Sequence, residues 1–426
     1  MRTVCVIATN RSDYGRLYPV MEALKAHDTV QLKVVVGSSA YFDGFWWYLR
    51  YAKVPSLLKA LPWLIRARLT KIFGGERAVL RQEQLSRMVQ ADGYEIDARL
   101  PLLIEGSTPP QMVSAAGIGL LKLSEILSKL KPDIVLINGD RFEILPVAVA
   151  TAYLNIPLAH IEGGDVSGTI DNSIRHAVSK FAHLHFPATV ESARRLERMG
   201  EDPATIFTHG SPIIDTLRDI DTSLGNDLHD RYPKDLNPID LTKPYVVVMQ
   251  HPVTTEYEES YAQTKELLAA LDQIGMPQFF IAPNIDAGSD GIATALTEYR
   301  QSSGADRSIF HKHLSLEDYI KVFAHAAVAV GNSSSFLREG AYLGVPCVVV
   351  GSRQRFRERG ENVIEVPAER SAISDAMRRQ MAHGRYRSDL RFGTGDAAVR
   401  IAETLATIDL AKVPIQKYFH EAHIQK

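Results

Sequence analysis

Three carboxylates stand where apolar runs end in polar turns. Asp140 follows the run 133–137 through Gly139, Glu162 follows the run 156–161, and Asp171 opens a helical stretch beside Asn172, Arg175 and His176. The carboxyl ends of buried parallel strands are where open sheets hold their ligands. A set of carboxylates at such an edge can take a poorly acidic C–H proton or protonate a leaving group, provided desolvation shifts one of their pKa values. Arg141, Arg175 and His176 supply counter-charge. Singly, each carboxylate has a plainer role: Asp140 can cap the next helix and Asp171 can be an N-terminal helix charge. Two strand-end carboxylates at one edge fit that explanation less well. Metal ligation is the rival use of His160, Glu162, Asp165, His176, His183 and His185, but HExxH and CxxC spacings are missing, so no metal is expected.

A second set reads as a binding wall. In the turn Thr9–Gly15, Arg11 and Asp13 follow a first strand; without GxGxxG, no dinucleotide and no other cofactor is indicated. Asn332-Ser333-Ser334-Ser335 follows an apolar run and leads into a helical stretch from Phe336 to Tyr342. Such serines are either N-caps or part of a phosphate cradle at a helix N-terminus. Glu339, more than one helical turn in, could accept hydrogen bonds from ribose hydroxyls. His251, in Gln250-His251-Pro252 after another run, either donates to phosphate or is a structural hydrogen-bonding residue. Asn284, Asp286 and Ser289 are polar loop residues near the same edge, and Arg353 to Asn362 is a mixed-charge loop.

The elements that must hold these residues alternate. Strands are predicted at 3–8, 32–36, 133–137, 156–160 and 183–186, then at 205–208, 245–249, 278–282, 327–330 and 346–350, with helices at 17–26, 112–130, 142–154, from about 170, and at 396–410. Short loops between alternating strands and helices predict α/β architecture, with two Rossmann-like domains facing across a cleft. The expected division is 1–190, carrying the carboxylates and an insertion at 41–91; 191–395; and a C-terminal helix and tail, 396–426, packing back on the first domain. The 426 residues, 45% hydrophobic and 23% charged with a net charge of −2, describe an ordinary globular chain and give no sign of nucleic-acid binding. The two cysteines, Cys5 and Cys347, lie in apolar runs; with no signal peptide or transmembrane run, a cytoplasmic address is expected. The segment 44–75 holds all three tryptophans and six basic residues with no acidic one. It reads either as a helical flap or oligomer contact, or as a peripheral contact with an anionic inner membrane face.

The ordered stretches TNRSDYG (9–15), LKPDIVLINGDRFE (130–143), HIEGGDVSGTIDNSIRHAVSKFAHLHF (160–186), QHPVTT (250–255), PNIDAGS (283–289), GNSSSFLRE (331–339) and GSRQRFRERGENV (351–363) resemble the hydrolysing UDP-N-acetylglucosamine 2-epimerases of sialic acid synthesis. The resemblance implies a glycosyltransferase B-type fold, no metal and no NAD, a UDP-sugar substrate, and a homo-oligomer (dimer or tetramer). It implies removal of the C2 proton with loss of UDP, a glycal intermediate, and addition of water to give N-acetylmannosamine for sialic acid or related polysaccharide synthesis. By position, Asp140, Glu162, Asp171 and Arg175 are the expected catalytic residues. Arg11, Asp13, Arg141, His251, Asn284, Ser333, Ser334 and Glu339 are the expected substrate contacts. Two departures stand out. Asn172 occupies the place where the family usually has a second carboxylate after Asp171, and Ser39-Ala40, followed by the long 44–75 segment, stand where it has a His and a shorter loop. A glycosyltransferase using a UDP-sugar donor, and a catalytically silent nucleotide-sugar-binding protein, are the alternative readings.

Overall fold

The computed structural model describes residues 1–39, 85–103, 109–224, 228, 239–283, 287–311 and 314–421. The 44–75 segment, Asn284 and Asp286 lie outside the described residues.

Two six-stranded, all-parallel sheets carry the chain. The first has β1 (Arg2–Ala8), β2 (Val30–Ser39), β3 (Ala98–Leu103), β4 (Ile134–Asn138), β5 (Leu158–Ile161) and β6 (Leu184–Phe186) in the order β3-β2-β1-β4-β5-β6. The second has β7 (Val246–Met249), β8 (Gln278–Ile281), β9 (Ser308–His311), β10 (Val328–Gly331), β11 (Cys347–Val350) and β12 (Val363–Val366) in the order β12-β11-β10-β7-β8-β9. In each sheet the strand order reverses once, at β1/β4 and at β7/β10, which opens a crevice at the carboxyl ends. The central strands are unbroken apolar runs buried on both faces, as parallel sheets covered by helices require. Two α/β halves, each with its own sheet, thus form the expected fold class.

The helices that frame the crevice are set by ordinary local rules. Helix α1 (Arg11–Lys25) starts at Asn10, whose side chain accepts from the Asp13 N–H, and buries Tyr14, Leu17, Met21 and Leu24 at helical spacing. Then come α2 (Pro109–Leu130), α3 (Leu145–Tyr153), α4 (Asp171–Phe181), α5 (Val190–Arg198) and α6 (Ile213–Asp219). Around the second sheet run α7 (Ser260–Ile274), α8 (Ser289–Tyr299), α9 (Leu316–Ala324), α10 (Glu339–Leu343) and α11 (Arg370–His383). The last helix, α12 (Ala397–Thr407), packs on α1, and its Ile401 and Leu405 share the first half's core with Leu17 and Met21. Fully burying a Leu or Ile side chain is worth about 1.5–3 kcal/mol, so this seam ties the chain's end firmly to the first half. The tail beyond it is pinned by Lys417, whose ammonium reaches the Glu201 carboxylate and the carbonyl oxygens of Lys180 and Ala182 at the end of α4.

Some expectations fail locally. No strand forms at 205–208: Thr205 ends a 3-10 turn, Pro203–Thr205, set by Asp202 accepting from the Ala204 N–H and by proline at the first turn position, and Ile206 adds only a single bridge to His185. Strands β3, β9 and β12 have no counterpart among the predicted strands. All three are edge strands, exposed on one side and broken by Pro101 or by polar residues, so their apolar signal is weak. The predicted helix from Phe336 is a 3-10 turn, Ser334–Phe336, followed by α10, so Glu339 opens a helix instead of lying a turn inside one. Among the described residues, no helix is long and apolar enough to cross a membrane.

Candidate active site

The two switch-point crevices face each other across one cleft with about 450 Å³ of internal space, within the usual range for a small-molecule site. The first half lines it with Arg11, Asp13, Arg16, Asp140, Arg141, Glu162, Asp171 and Arg175, and the second half with His251, Ser333, Ser334, Arg338, Glu339 and Arg357. Every described residue from the two sets singled out as candidate catalytic and substrate-contact positions therefore borders one space.

Backbone turns aim these side chains. Gly139 takes φ +88° and Glu162 φ +62°, a left-handed conformation uncommon for a side-chain-bearing residue, so each chain swings off its strand just as it reaches the cleft. In the second half Gly331 has φ +133°, and a β-carbon there would lie 2.1 Å from the Met249 carbonyl oxygen. Only glycine lets β10 close so tightly on β7. Asn332 then brackets His251, accepting from its N–H at 2.7 Å and donating to its carbonyl oxygen at 2.8 Å.

The carboxylates sit in an ion network that spans the halves. Glu162 accepts from Ser211 Oγ at 2.6 Å and from Arg338 at 2.7 Å, with Arg16 at 3.4 Å. Burial pushes its carboxyl up, but Arg338, Arg16, the Ser211 hydroxyl and Arg357 outweigh that and hold it down at about 2. Asp165 accepts from Arg338 at 2.9 Å and from Arg357 at 2.8 Å. Asp140 pairs with Arg175 and, at 3.3 Å, with Arg357. Arg175 is 1% exposed and also donates to the Asp165 carbonyl oxygen at 3.0 Å. These bonds order the carboxylates and leave the Asp140 side chain, 21% exposed, the most open of the three that are paired with arginine.

Other candidates take different surroundings from those expected. Arg141 is held by Glu143, with contacts of 3.0 and 3.2 Å, and still lines the cleft. Arg11 reaches across to the Leu314 carbonyl oxygen at 3.3 Å. Ser333 is the N-cap of the 3-10 turn, accepting from the Ser335 N–H at 3.3 Å. Glu339 is buried and borders the cleft, and among the described residues its Oε2 has no hydrogen-bond partner. Asn172 turns away: its Oδ1 accepts from the Ser167 N–H at 3.1 Å, and Asp171, not Asn172, borders the cleft. Two histidines of the metal alternative, His160 and His185, are used structurally. His160 contacts the Gly139 carbonyl oxygen at 2.7 Å and Ser179 at 3.1 Å, and burial pulls its pKa down to about 4. His185 pairs with Glu201 at 3.0 Å. No group of three or more metal-ligating side chains is found among the described residues.

Sequence reasoning missed Arg16, Asp165 as a charge partner, Ser211 and Arg338. Arg16 and Arg338 lie within helix-like stretches where a basic residue ordinarily faces solvent, so only the approach of the two halves gives them a role. The sole available signal was their place within the motif stretches or just beside them.

The comparisons agree with this architecture. A family model described as UDP-N-acetylglucosamine 2-epimerase matches residues 80–406. A Legionella pneumophila UDP-N,N'-diacetylbacillosamine 2-epimerase (hydrolyzing) is 35% identical over 322 residues, covering 76% of this chain and 83% of the relative. A Neisseria meningitidis UDP-N-acetylglucosamine 2-epimerase is 28% identical over 426 residues, covering 99% and 100%. Among solved structures, the Methanocaldococcus jannaschii UDP-GlcNAc 2-epimerase in complex with UDP-GlcNAc and UDP superposes with a TM-score of 0.72 at 16% identity, covering 95% of this chain and 99% of that one. With the family model matching residues 80–406, more than half of the chain, the chain belongs to the UDP-N-acetylglucosamine 2-epimerase family.

Proposed function

We propose that the protein is a hydrolysing 2-epimerase that converts UDP-N-acetylglucosamine and water to N-acetylmannosamine and UDP, as a step toward sialic acid or a related surface sugar. The observation that carries this reading is the pairing, in one cleft, of the Asp140–Glu162–Asp171 carboxylates with the Ser333–Ser334–His251–Glu339 wall. Residues 1–190 would supply the acid/base groups and residues 191–395 the UDP contacts.

The chemistry follows from the geometry. Asp140, the most open of the arginine-paired carboxylates, takes the C2 proton. The C2–H electron pair becomes the C1–C2 double bond of the glycal, and the C1–O pair leaves with the diphosphate. Arg11 and Arg141 face the charge that develops on the leaving group, where preorganised cations are worth most. Glu162, kept ionised by Arg338 and Arg16, holds the arginines in place, and Asp171 stands at the start of α4 beside the sugar. Water then adds its hydroxyl to C1 while C2 is protonated on the opposite face, which inverts C2. Glu339, with an unpaired oxygen, accepts from ribose hydroxyls.

Incubation with UDP-N-acetylglucosamine in deuterated water, followed by NMR, should reveal free UDP and N-acetylmannosamine deuterated at C2. UDP-N-acetylmannosamine as the only product would mean a non-hydrolysing epimerase, and no turnover without an acceptor would favour a transferase. A second sugar is supported by the activities named for two relatives, a Legionella pneumophila UDP-N,N'-diacetylbacillosamine 2-epimerase (hydrolyzing) and a Campylobacter jejuni GDP/UDP-N,N'-diacetylbacillosamine 2-epimerase (hydrolyzing). Competition between the two UDP-sugars for the same enzyme ranks them by kcat/KM.

A further inference from the structure

We propose that Asp13 is the proton-donating acid of this cleft, a catalytic carboxyl that enters neutral and hands its Oδ1 proton to the diphosphate oxygen as that group departs. The proposal rests on the epimerase reading above and adds a residue to it.

The geometry singles out Asp13. It is 4% exposed at the first turn of α1, and it borders the cleft. The plain alternative is a helix cap, because Asp13 stands three residues after the N-cap Asn10. A reciprocal capping box would have the Asp13 carboxyl accept from the Asn10 backbone N–H. Instead its Oδ2 accepts from the Thr9 hydroxyl and from Asn10 Nδ2, the latter at 2.7 Å. The helix is capped by the opposite contact, the Asp13 N–H donating to Asn10 Oδ1 at 3.0 Å. The carboxyl is therefore not spent on the helix. Oδ1 takes no hydrogen bond among the described residues and faces Gly139, where a β-carbon would lie 3.7 Å away. With Oδ2 already accepting twice, a proton on this carboxyl belongs on Oδ1, the atom turned to the cleft.

The surroundings keep that proton on near neutrality. The titratable groups facing Asp13 are Glu143 and Arg141 from the turn after β4 and Arg16 from its own helix. Burial pushes the carboxyl up, the Thr9 hydroxyl pulls it back, Glu143 raises it again, and Arg141 and Arg16 lower it; the balance is about 7. A terminal phosphate has its second ionisation at about 6, so donor and acceptor are matched, the condition under which general acid catalysis is most effective. The C2 proton goes to Asp140, the C1–O electron pair goes to the diphosphate oxygen, that oxygen takes the Asp13 proton, and Asp13 is left as a carboxylate to be reloaded from water. Arg11, Arg16 and Arg141 on the same wall attract the anion that receives it.

The test uses UDP as probe and the full chain. Calorimetry of UDP binding at pH 8, in buffers of different ionisation enthalpy, should find wild type taking up about half a proton or more, since a carboxyl of this kind is mostly ionised there and is reprotonated beside the diphosphate. Asp13→Asn should take up none of this. It should also lower kcat for UDP-N-acetylglucosamine by ~100-fold or more while UDP affinity stays within about threefold. Equal proton uptake by wild type and Asp13→Asn, or a kcat within about threefold of wild type, would overturn the proposal. Should Asp13→Asn fail to fold, Thr9→Val decides. It removes a contact that lowers the Asp13 pKa, so the fall of activity and of net proton retention should move to higher pH, and an unmoved profile would overturn the proposal. If wild type does not turn over UDP-N-acetylglucosamine, the epimerase reading fails, whereas the proton-uptake comparison, which needs only UDP, still decides Asp13.

Discussion

Arg338→Gln is the perturbation that most directly tests the ion network across the cleft. In the wild type, Arg338 donates to Glu162 at 2.7 Å and to Asp165 at 2.9 Å, with both partners buried. Glu162 is brought from 4.5 to about 2, and Arg338 is the largest of the influences that lower it. A change of that size corresponds to ~3 kcal/mol of preference for the charged form. Removing one member of a buried pair costs about 3–5 kcal/mol, because the other charge is left uncompensated. Arg16 and Arg357 remain near Glu162, so ~3 kcal/mol is expected at pH 7. The pH dependence has a definite sign. A carboxyl depressed by folding contributes its full stabilisation above about 4.5 and loses it as pH falls toward about 2. The stability gap between wild type and Arg338→Gln should therefore be full at pH 7 and shrink between pH 4.5 and 2. Urea unfolding followed by circular dichroism, with Glu162→Gln and the double variant completing a cycle, measures it. A gap under ~1 kcal/mol at pH 7, or one that does not shrink in acid, would refute the assignment of Arg338 as the partner that keeps Glu162 ionised.

Three further outcomes are expected. Glu162→Gln should abolish turnover, because Arg338 and Arg16 lose their shared anion, while UDP binding measured by calorimetry stays largely intact. Gly168→Ala should lower kcat with both halves still folded: a β-carbon there would lie 1.9 Å from the Ser352 carbonyl oxygen, and Gly168 N–H donates to the Arg353 carbonyl oxygen at 3.1 Å, so the side chain wedges the halves apart at the cleft's rim. Paired activity and far-UV measurements check it. Lys417→Met should cost ~2 kcal/mol in denaturant unfolding, since it removes a cation from Glu201, which is 1% exposed and also holds Lys180 and His185.

The local record in the chain was enough for much of this. The buried central strands read as continuous apolar runs because both faces are covered, and β1, β4, β5, β7, β10 and β11 each lie within a few residues of the run that predicts them. Strand-end placement alone put Asp140 and Glu162 at one edge, since it follows from where a run stops. The edge strands β3, β9 and β12 escaped because a strand hydrogen-bonded on one side tolerates Pro, Ser and Glu.

Residue type and order thus determined the two-sheet architecture, the family's motifs and which polar residues end each strand. Only the tertiary structure decided how those residues are paired. Arg338 and Glu162 are 176 residues apart, and Arg357 and Asp165 are 192 apart, so their charges meet only when the two halves close. Asn172 and Asp171 are neighbours in the chain, yet one turns to Ser167 and the other lines the cleft. The same holds for Asp13, which in sequence is a polar residue of the turn after the first strand and an expected substrate contact. Its proton depends on burial and on Glu143, a charge that reaches it through the packing of α1 against the end of β4. Desolvation and through-space charge set the chemistry of a carboxyl, and neither is written in its immediate neighbours along the chain.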